Sequence, residues 1–305
     1  MSEIDKNLWK QAIKWPLYSV AILPVFISGA YTLNSFKNIR ISNLIAFTIA
    51  AILILIWENL TNDLFDSETG IDEFKFHSIL NLIKSKKLVS TAAYTSLLVG
   101  LLLIAIISIS TSFNVILLVG TCCVLGYLYQ GPPFRLGYKG LGEPLCWLAF
   151  GPLAYSAALI ALNPSEIYLI SIPWKESLLL GSGSSLATTL VLFCSHFHQI
   201  KEDKKNGKIS PLVRLGAKKG AKLIPWIVLV VYVFQLFIII YGVIPKLCIL
   251  YLISFPQSLK LINLLRYSYN KPEVIKNCKF IAIKFQTLNG IGLIAGLMMD
   301  HLIYK

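Results

Sequence analysis

The spacing of apolar runs constrains this chain more than any other feature. Nine stretches of roughly 20 residues carry few or no charges, near 16–34, 41–61, 88–109, 112–130, 141–162, 177–198, 223–243, 245–265 and 283–303. About 20 apolar residues in a helix match the roughly 30 Å hydrocarbon core of a bilayer. Inside a bilayer the chain must satisfy its own backbone polar groups, and long continuous apolar runs do so as helices. The predicted fold is all-α: a multi-pass integral membrane bundle of about nine transmembrane helices, one domain over residues 1–305. Pro24, Pro152 and Pro256 interrupt runs, and the eighth run, with Pro245 and Pro256, is the weakest span. Composition excludes an ordinary soluble domain. The chain is 56% hydrophobic and 14% charged, with a mean hydropathy of +0.69, against about 25% charged for a soluble protein.

The chain holds 28 Lys and Arg against 15 Asp and Glu, a net charge of +13. These cations sit in short connections between spans, which disfavours nucleic acid as a partner and points to topology plus an anionic ligand. If the N-terminus is cytosolic, all but Lys37, Arg40, Lys175, Lys246 and Lys305 fall on the cytosolic side. The positive-inside rule then places the C-terminus on the opposite side and the long, polar connections in the cytosol. The first 15 residues, MSEIDKNLWKQAIKW, have neither a signal-peptide core nor the look of a transit peptide. That favours a bacterial or plastid-encoded protein.

Three segments carry chemistry. Six of the 15 carboxylates lie in one stretch after the second run: Glu58, Asp63, Asp66, Glu68, Asp72 and Glu73. Asn62 and Asp66 are four apart and Asp63 and Asp66 three apart, so on a helix they share a face. Clustered like charges call for a cation. Mg²⁺ is commonly held by one or two carboxylates together with substrate phosphates. Gly70 permits a turn that returns Asp72 toward the cluster. The second segment runs from Ser195 to Gly216. Helical spacing there aligns His198 with Glu202 and Gln199 with Asp203, among Lys201, Lys204, Lys205, Lys208 and Arg214. Carboxylates for a metal beside cations for phosphate oxygens suit a metal-bridged polyanion. His196 and His198 are two apart, poor spacing for one zinc on a helix, and at least one of them reads as a hydrogen-bonding or capping residue at a cavity rim. The third segment, Gly126–Pro144, is a glycine- and proline-rich reversal carrying Arg135 and Lys139, candidate diphosphate contacts. The cysteines, Cys122, Cys123, Cys146, Cys194, Cys248 and Cys278, form no CxxC and read as small core residues.

Asn62-Asp63-xx-Asp66 with Asp72, a second acidic segment leading into Lys208 and Val213-Arg214-Leu215-Gly216, and nine spans resemble the UbiA superfamily of intramembrane prenyltransferases. GPPFRLGYKGLGEP, NDLFDSETGID and HFHQIKEDKKNGKISPLVRLG are similar, more narrowly, to its MenA branch in cyanobacteria and plastids. The resemblance implies two metal motifs that hold Mg²⁺ and a prenyl diphosphate. It places the first on Asn62, Asp66 and Asp72 and the second on Gln199 and Asp203. With Asp63 and Glu202 beside them, these are the expected metal residues. Asp66 and Asp203 are the expected catalytic pair, and Arg135, Lys139, Lys208 and Arg214 the expected diphosphate contacts. It further implies transfer of a prenyl group, phytyl in this branch, to 1,4-dihydroxy-2-naphthoate. Diphosphate and CO₂ are lost, on the route to phylloquinone or menaquinone, in a cyanobacterial plasma or thylakoid membrane or a plastid membrane. The family usually has Asp at both ends of its second motif, and here Gln199 stands first. Two other readings stay open: a homogentisate or chlorophyllide acceptor, and a cation transporter. A transporter would place its acids near the bilayer midplane, whereas these lie at span ends on one face.

Overall fold

A computed structural model describes residues 15–69, 78–164 and 171–304, together with Trp9, Ala12 and Ile13. Among the described residues, nine helices are long and apolar enough to cross a membrane. They are α1 (Trp15–Phe36), α2 (Ile41–Thr69), α3 (Lys86–Ser110), α4 (Phe113–Gln130), α5 (Gly142–Leu162), α6 (Trp174–Ser195), α7 (Ala217–Ile240), α8 (Lys246–Ser268) and α9 (Pro272–Ile303). The described part contains no strand. The expected all-α, nine-span membrane fold is therefore present. The outward faces are apolar, as contact with lipid tails requires: Ile109, Phe113, Trp226 and Ile240 are each more than 60% exposed.

The irregularities follow from the residues. α5 passes through a π-helical turn, Ala149–Leu153, with a non-helical Gly151 before Pro152. Proline lacks an N–H and forces this local rearrangement. The weakest expected span, α8, begins as a 3-10 helix over Lys246–Ser254 and becomes α-helical at Phe255. That narrow segment packs against α9 at Gly292 and Gly296, where an added Cβ would overlap the backbone of Leu250, Tyr251 and Cys248. Small residues four apart let two membrane helices approach at backbone distance. Polar pairs add to the packing. Gln235 of α7 and Asn289 of α9 exchange hydrogen bonds of 2.6 and 2.9 Å while fully buried. The overlap at Gly296 is with backbone, which cannot rotate away. Gly296→Leu should therefore destabilise the fold by about 3 kcal/mol, the upper end for overpacking, seen as a lowered unfolding temperature in detergent. An unchanged melt would contradict this packing.

Two boundaries differ from expectation and shape the site. α2 does not stop at the end of its apolar run near residue 61. It continues to Thr69, so Asn62, Asp63, Asp66 and Glu68 stand on the helix and not in a loop beyond it. Hydroxyls hold the last turn, Ser67 Oγ donating to Leu64 O and Thr69 Oγ1 to Asp66 O. α6 ends earlier than expected, at Ser195. Turns carry the chain through residues 196–199 before a short helix, Ile200–Lys205.

Candidate active site

A cavity of about 810 Å³ opens inside the bundle. Its deeper walls are apolar, with Val25, Phe47, Ile54, Leu55, Ile104 and Val119 among them. Its polar end is lined by Glu58, Asn59, Asn62 and Asp66 of α2, by His196, His198 and Gln199 after α6, and by Lys208, Lys276 and Lys279. The chain ends after α2 and α6 and at the start of α9 thus meet at one end of the molecule.

Tyr138, in the connection between α4 and α5, joins the two acidic segments. Its hydroxyl donates to Asp66 Oδ1 at 2.7 Å and lies 2.9 Å from Thr69 Oγ1. Burial first, and then the Asp66 carboxylate, raise the phenol's pKa above its ordinary value and keep it a hydrogen-bond donor. Lys208 Nζ lies 5.4 Å from the centre of the same ring, on its way to Asp203. Asp203 is fully buried. Its Oδ1 is 3.8 Å from Lys208 Nζ and its Oδ2 3.3 Å from His196 Nδ1. A carboxylate only accepts, so that imidazole nitrogen carries a proton. Asp203 Oδ1 has no hydrogen-bond partner and is balanced by the Lys208 ammonium at ion-pair distance. The loop is fixed from both sides. Lys208 N donates to Asp203 O at 2.8 Å, and Ile209 N donates to Tyr138 O at 2.7 Å.

The geometry sorts the expected residues. Asn62, Asp66, Gln199 and Lys208 line the cavity, and Asp203 stands behind Lys208 and His196. Asp63 is turned away. It is buried, and its Oδ2 accepts from Ile79 N at 2.8 Å, at the start of the short helix Ile79–Ile83. Glu202 is exposed and does not line the cavity, because the chain turns before Ile200 and starts a new helix. Three expected diphosphate contacts also miss the cavity. Arg135 pairs with Glu68 at 3.1 Å. Lys139 and Arg214 are exposed, and the Arg214 guanidinium donates to Lys139 O at 2.7 Å, tying two loops together. Asp72 and Gly70 lie outside the described residues. Sequence reasoning did not single out Tyr138, Lys276 or Lys279, and Glu58 entered it only as part of the acidic count.

A family model described as the UbiA prenyltransferase family matches residues 21–283. The chain belongs to the UbiA prenyltransferase family. It is 38% identical to the 2-carboxy-1,4-naphthoquinone phytyltransferase of Synechocystis sp., over 95% of this chain and 93% of that one. It is 36% identical to the chloroplastic 2-carboxy-1,4-naphthoquinone phytyltransferase of Arabidopsis thaliana, over 96% of this chain and 77% of that one. The fold is similar to a UbiA homolog from Archaeoglobus fulgidus bound to GPP and Mg²⁺. The TM-score is 0.60, at 13% identity, covering 94% of this chain and 99% of that one. The apo UbiA homolog from Aeropyrum pernix K1 aligns with a TM-score of 0.66 at 13% identity, covering 93% and 98%. This UbiA chain is accordingly a membrane-embedded prenyltransferase of the MenA type, and the transporter reading falls away.

Proposed function

We propose that this enzyme transfers a phytyl or similar prenyl group from its diphosphate to 1,4-dihydroxy-2-naphthoate, with loss of diphosphate and CO₂. The observation that carries the proposal is the cavity itself: oxygen donors and lysines at one end, continuous with an apolar interior. That polarity fits a diphosphate head and a hydrocarbon tail in a single ligand. The phytyltransferase relatives support the acceptor skeleton. Their names give its quinone form, whereas those of bacterial relatives such as that of Bacillus subtilis give 1,4-dihydroxy-2-naphthoate. The dihydroxy form is the electron-rich one, and an allylic cation needs an electron-rich partner.

The donor set is compatible with Mg²⁺. It consists of carboxylate and amide oxygens, the preference of a hard cation, with Asn62, Asp66 and Gln199 on the cavity wall. No three His, Cys, Asp or Glu side chains converge among the described residues. Asn62, Asp66, Gln199 and Asp203 would hold the ion, with Asp72 from the first motif. When bound, Mg²⁺ supplies positive charge against the oxygens of the departing diphosphate.

The chain's own residues do the rest. Lys208, Lys276 and Lys279 counter phosphate charge from the cavity wall. Tyr138 holds the Asp66 carboxylate in place through its 2.7 Å hydrogen bond. Phe47, Leu55 and Ile104 line the apolar part and keep water from the allylic cation. The allylic C–O bond breaks and its electron pair leaves with the diphosphate. A new C–C bond forms at the ring carbon bearing the carboxylate. The C–CO₂ bond then breaks, and its electron pair restores the aromatic ring. Because CO₂ and no proton departs from that carbon, the step needs no base there. We place the polar end on the cytosolic or stromal side of a cyanobacterial or plastid membrane, on the strength of the basic connections.

The test is a product assay on purified membranes with carboxyl-labelled 1,4-dihydroxy-2-naphthoate and phytyl diphosphate. Mg²⁺-dependent prenylated product with one labelled CO₂ released per turnover is expected. Turnover with homogentisate or a chlorophyllide, and none with the naphthoate, would overturn the acceptor.

A further inference from the structure

One carboxyl at the cavity is used by nothing described so far. Glu58 lies on α2, one helical turn before Asn62 on the side away from Asp66, and lines the same cavity. Among the described residues no hydrogen bond or ion pair engages its carboxyl. The surfaces beside it, Trp57, Cys122, Gly126 and Cys146, carry no charge. Gly126 of α4 keeps the space in front of it open. A Cβ added there would sit 3.5 Å from Glu58 Oε1. Gln130 of α4 holds the helix beneath it, its amide donating to Glu58 O at 2.9 Å and to Thr61 Oγ1 at 2.7 Å. A carboxyl in a largely apolar cavity is expensive unless something donates to it. The diphosphate end lies the other way, at Asp66 and Lys208, and an anion there has nothing to donate.

We propose that Glu58 receives a ring hydroxyl of the aromatic acceptor, and that it thereby selects the dihydroxy form over the quinone. The inference rests on the acceptor class proposed above. A carboxylate only accepts hydrogen bonds, and a quinone carbonyl also only accepts. In its ionised form Glu58 therefore pairs with a hydroxyl and opposes a carbonyl at the same position; its protonated form would donate to the carbonyl, so the selection belongs to the carboxylate. The acceptor's own carboxylate is repelled by Glu58 and turns toward the lysines. The ring is thus held between the two ends of the polar wall, one turn of α2 from the site of C–O cleavage. Glu58 is in this sense a specificity-determining contact for the acceptor and no part of the metal–diphosphate grip.

The experiment measures binding without turnover. Detergent-purified full-length protein is titrated calorimetrically in alkaline buffer, which keeps a carboxyl in apolar surroundings ionised, with no metal and no prenyl diphosphate. One ligand is 1,4-dihydroxy-2-naphthoate kept reduced under anaerobic conditions, and the other is 2-carboxy-1,4-naphthoquinone. The parent should bind the reduced form about tenfold or more tightly than the quinone, the scale of one hydrogen bond to a charged group. Glu58→Gln, whose amide both donates and accepts, should bring the two affinities within about threefold. It should retain the parent's unfolding temperature and its affinity for phytyl diphosphate with Mg²⁺. Equal affinities in the parent, or full discrimination in a folded Glu58→Gln protein, would overturn the role of Glu58 and leave the acceptor class standing. Binding of neither form by the parent would overturn the acceptor class and this inference with it. If Glu58→Gln does not fold, Gly126→Ala provides the second variant. Its methyl would rest in ordinary contact with the carboxyl, 3.5 Å from Oε1, and fill the space in front of it that a hydroxyl needs, so it should weaken the reduced acceptor more than the quinone. An equal effect on both would overturn the proposal.

Discussion

Asp66→Ala is expected to abolish turnover, with kcat at saturating Mg²⁺ and substrates falling by about 10³-fold or more. Among the described residues, Asp66 is the one carboxylate of the first segment that both lines the cavity and is held from outside it, by the Tyr138 hydroxyl at 2.7 Å. Stabilisation of developing charge by a fixed group is worth roughly 10²–10³ in rate for a single neutral donor, and a group that anchors a divalent cation carries more. Asp66→Asn keeps an oxygen for Tyr138 and removes only the charge, so it should lose nearly as much activity while melting like the parent. Asp63→Ala is the control. Asp63 accepts from Ile79 N and faces away from the cavity. Its loss should cost about 1 kcal/mol of stability and leave the rate within about tenfold. If folded Asp63→Ala protein were as inactive as Asp66→Ala, the separation of these two residues would fail.

The second large effect is expected at Asp203, where stability and activity fall together. The side chain is fully buried between His196 and Lys208. Asp203→Ala strands the Lys208 ammonium, itself only 7% exposed. Removing one partner of a buried ion pair costs roughly 3–5 kcal/mol, because the remaining charge is left uncompensated. Thermal unfolding should therefore shift down clearly, and turnover should drop by about 10²-fold or more. Adding Lys208→Met to Asp203→Ala removes the stranded charge. The double variant should recover much of the lost stability and none of the activity. Stability that stayed low in the double variant would show that the ion pair is not what Asp203 contributes to the fold. Recovered activity would remove Asp203 from the site.

The contrast between Asp63 and Asp66 shows where sequence reasoning stops. Successive residues on a helix are about 100° apart. Asn62 and Asp63 therefore fall on opposite sides of Asp66, each within reach of a shared face. Spacing alone permits either to join it. The choice was made by what packs on each side: the open cavity next to Asn62, and the backbone of Ile79 next to Asp63. The second segment behaves likewise. Gln199 and Asp203 stay one turn apart, with Asp203 N donating to Gln199 O at 2.8 Å. Glu202, one position earlier, points to solvent.

Span number, the apolar exterior and the stretches that hold the oxygen donors were legible from the sequence. Each depends on the local run of residues, and a bilayer reads local hydropathy over about 20 residues. The family was legible too, because its motifs are short and ordered along the chain. Tertiary structure alone decided which charges face the cavity. Tyr138 joins segments that are 72 and 70 residues from it, at Asp66 and Lys208. Lys276 and Lys279 reach the site from the start of α9, although in the sequence they are two more basic residues in a basic connection. Arg135, Lys139 and Arg214 look equally suited to phosphate, yet Arg135 is spent on Glu68, Arg214 on the Lys139 carbonyl, and the Lys139 residue is exposed. Local propensity places a side chain on an element. Only the packing of elements against one another determines whether that side chain meets a ligand, a backbone group or water.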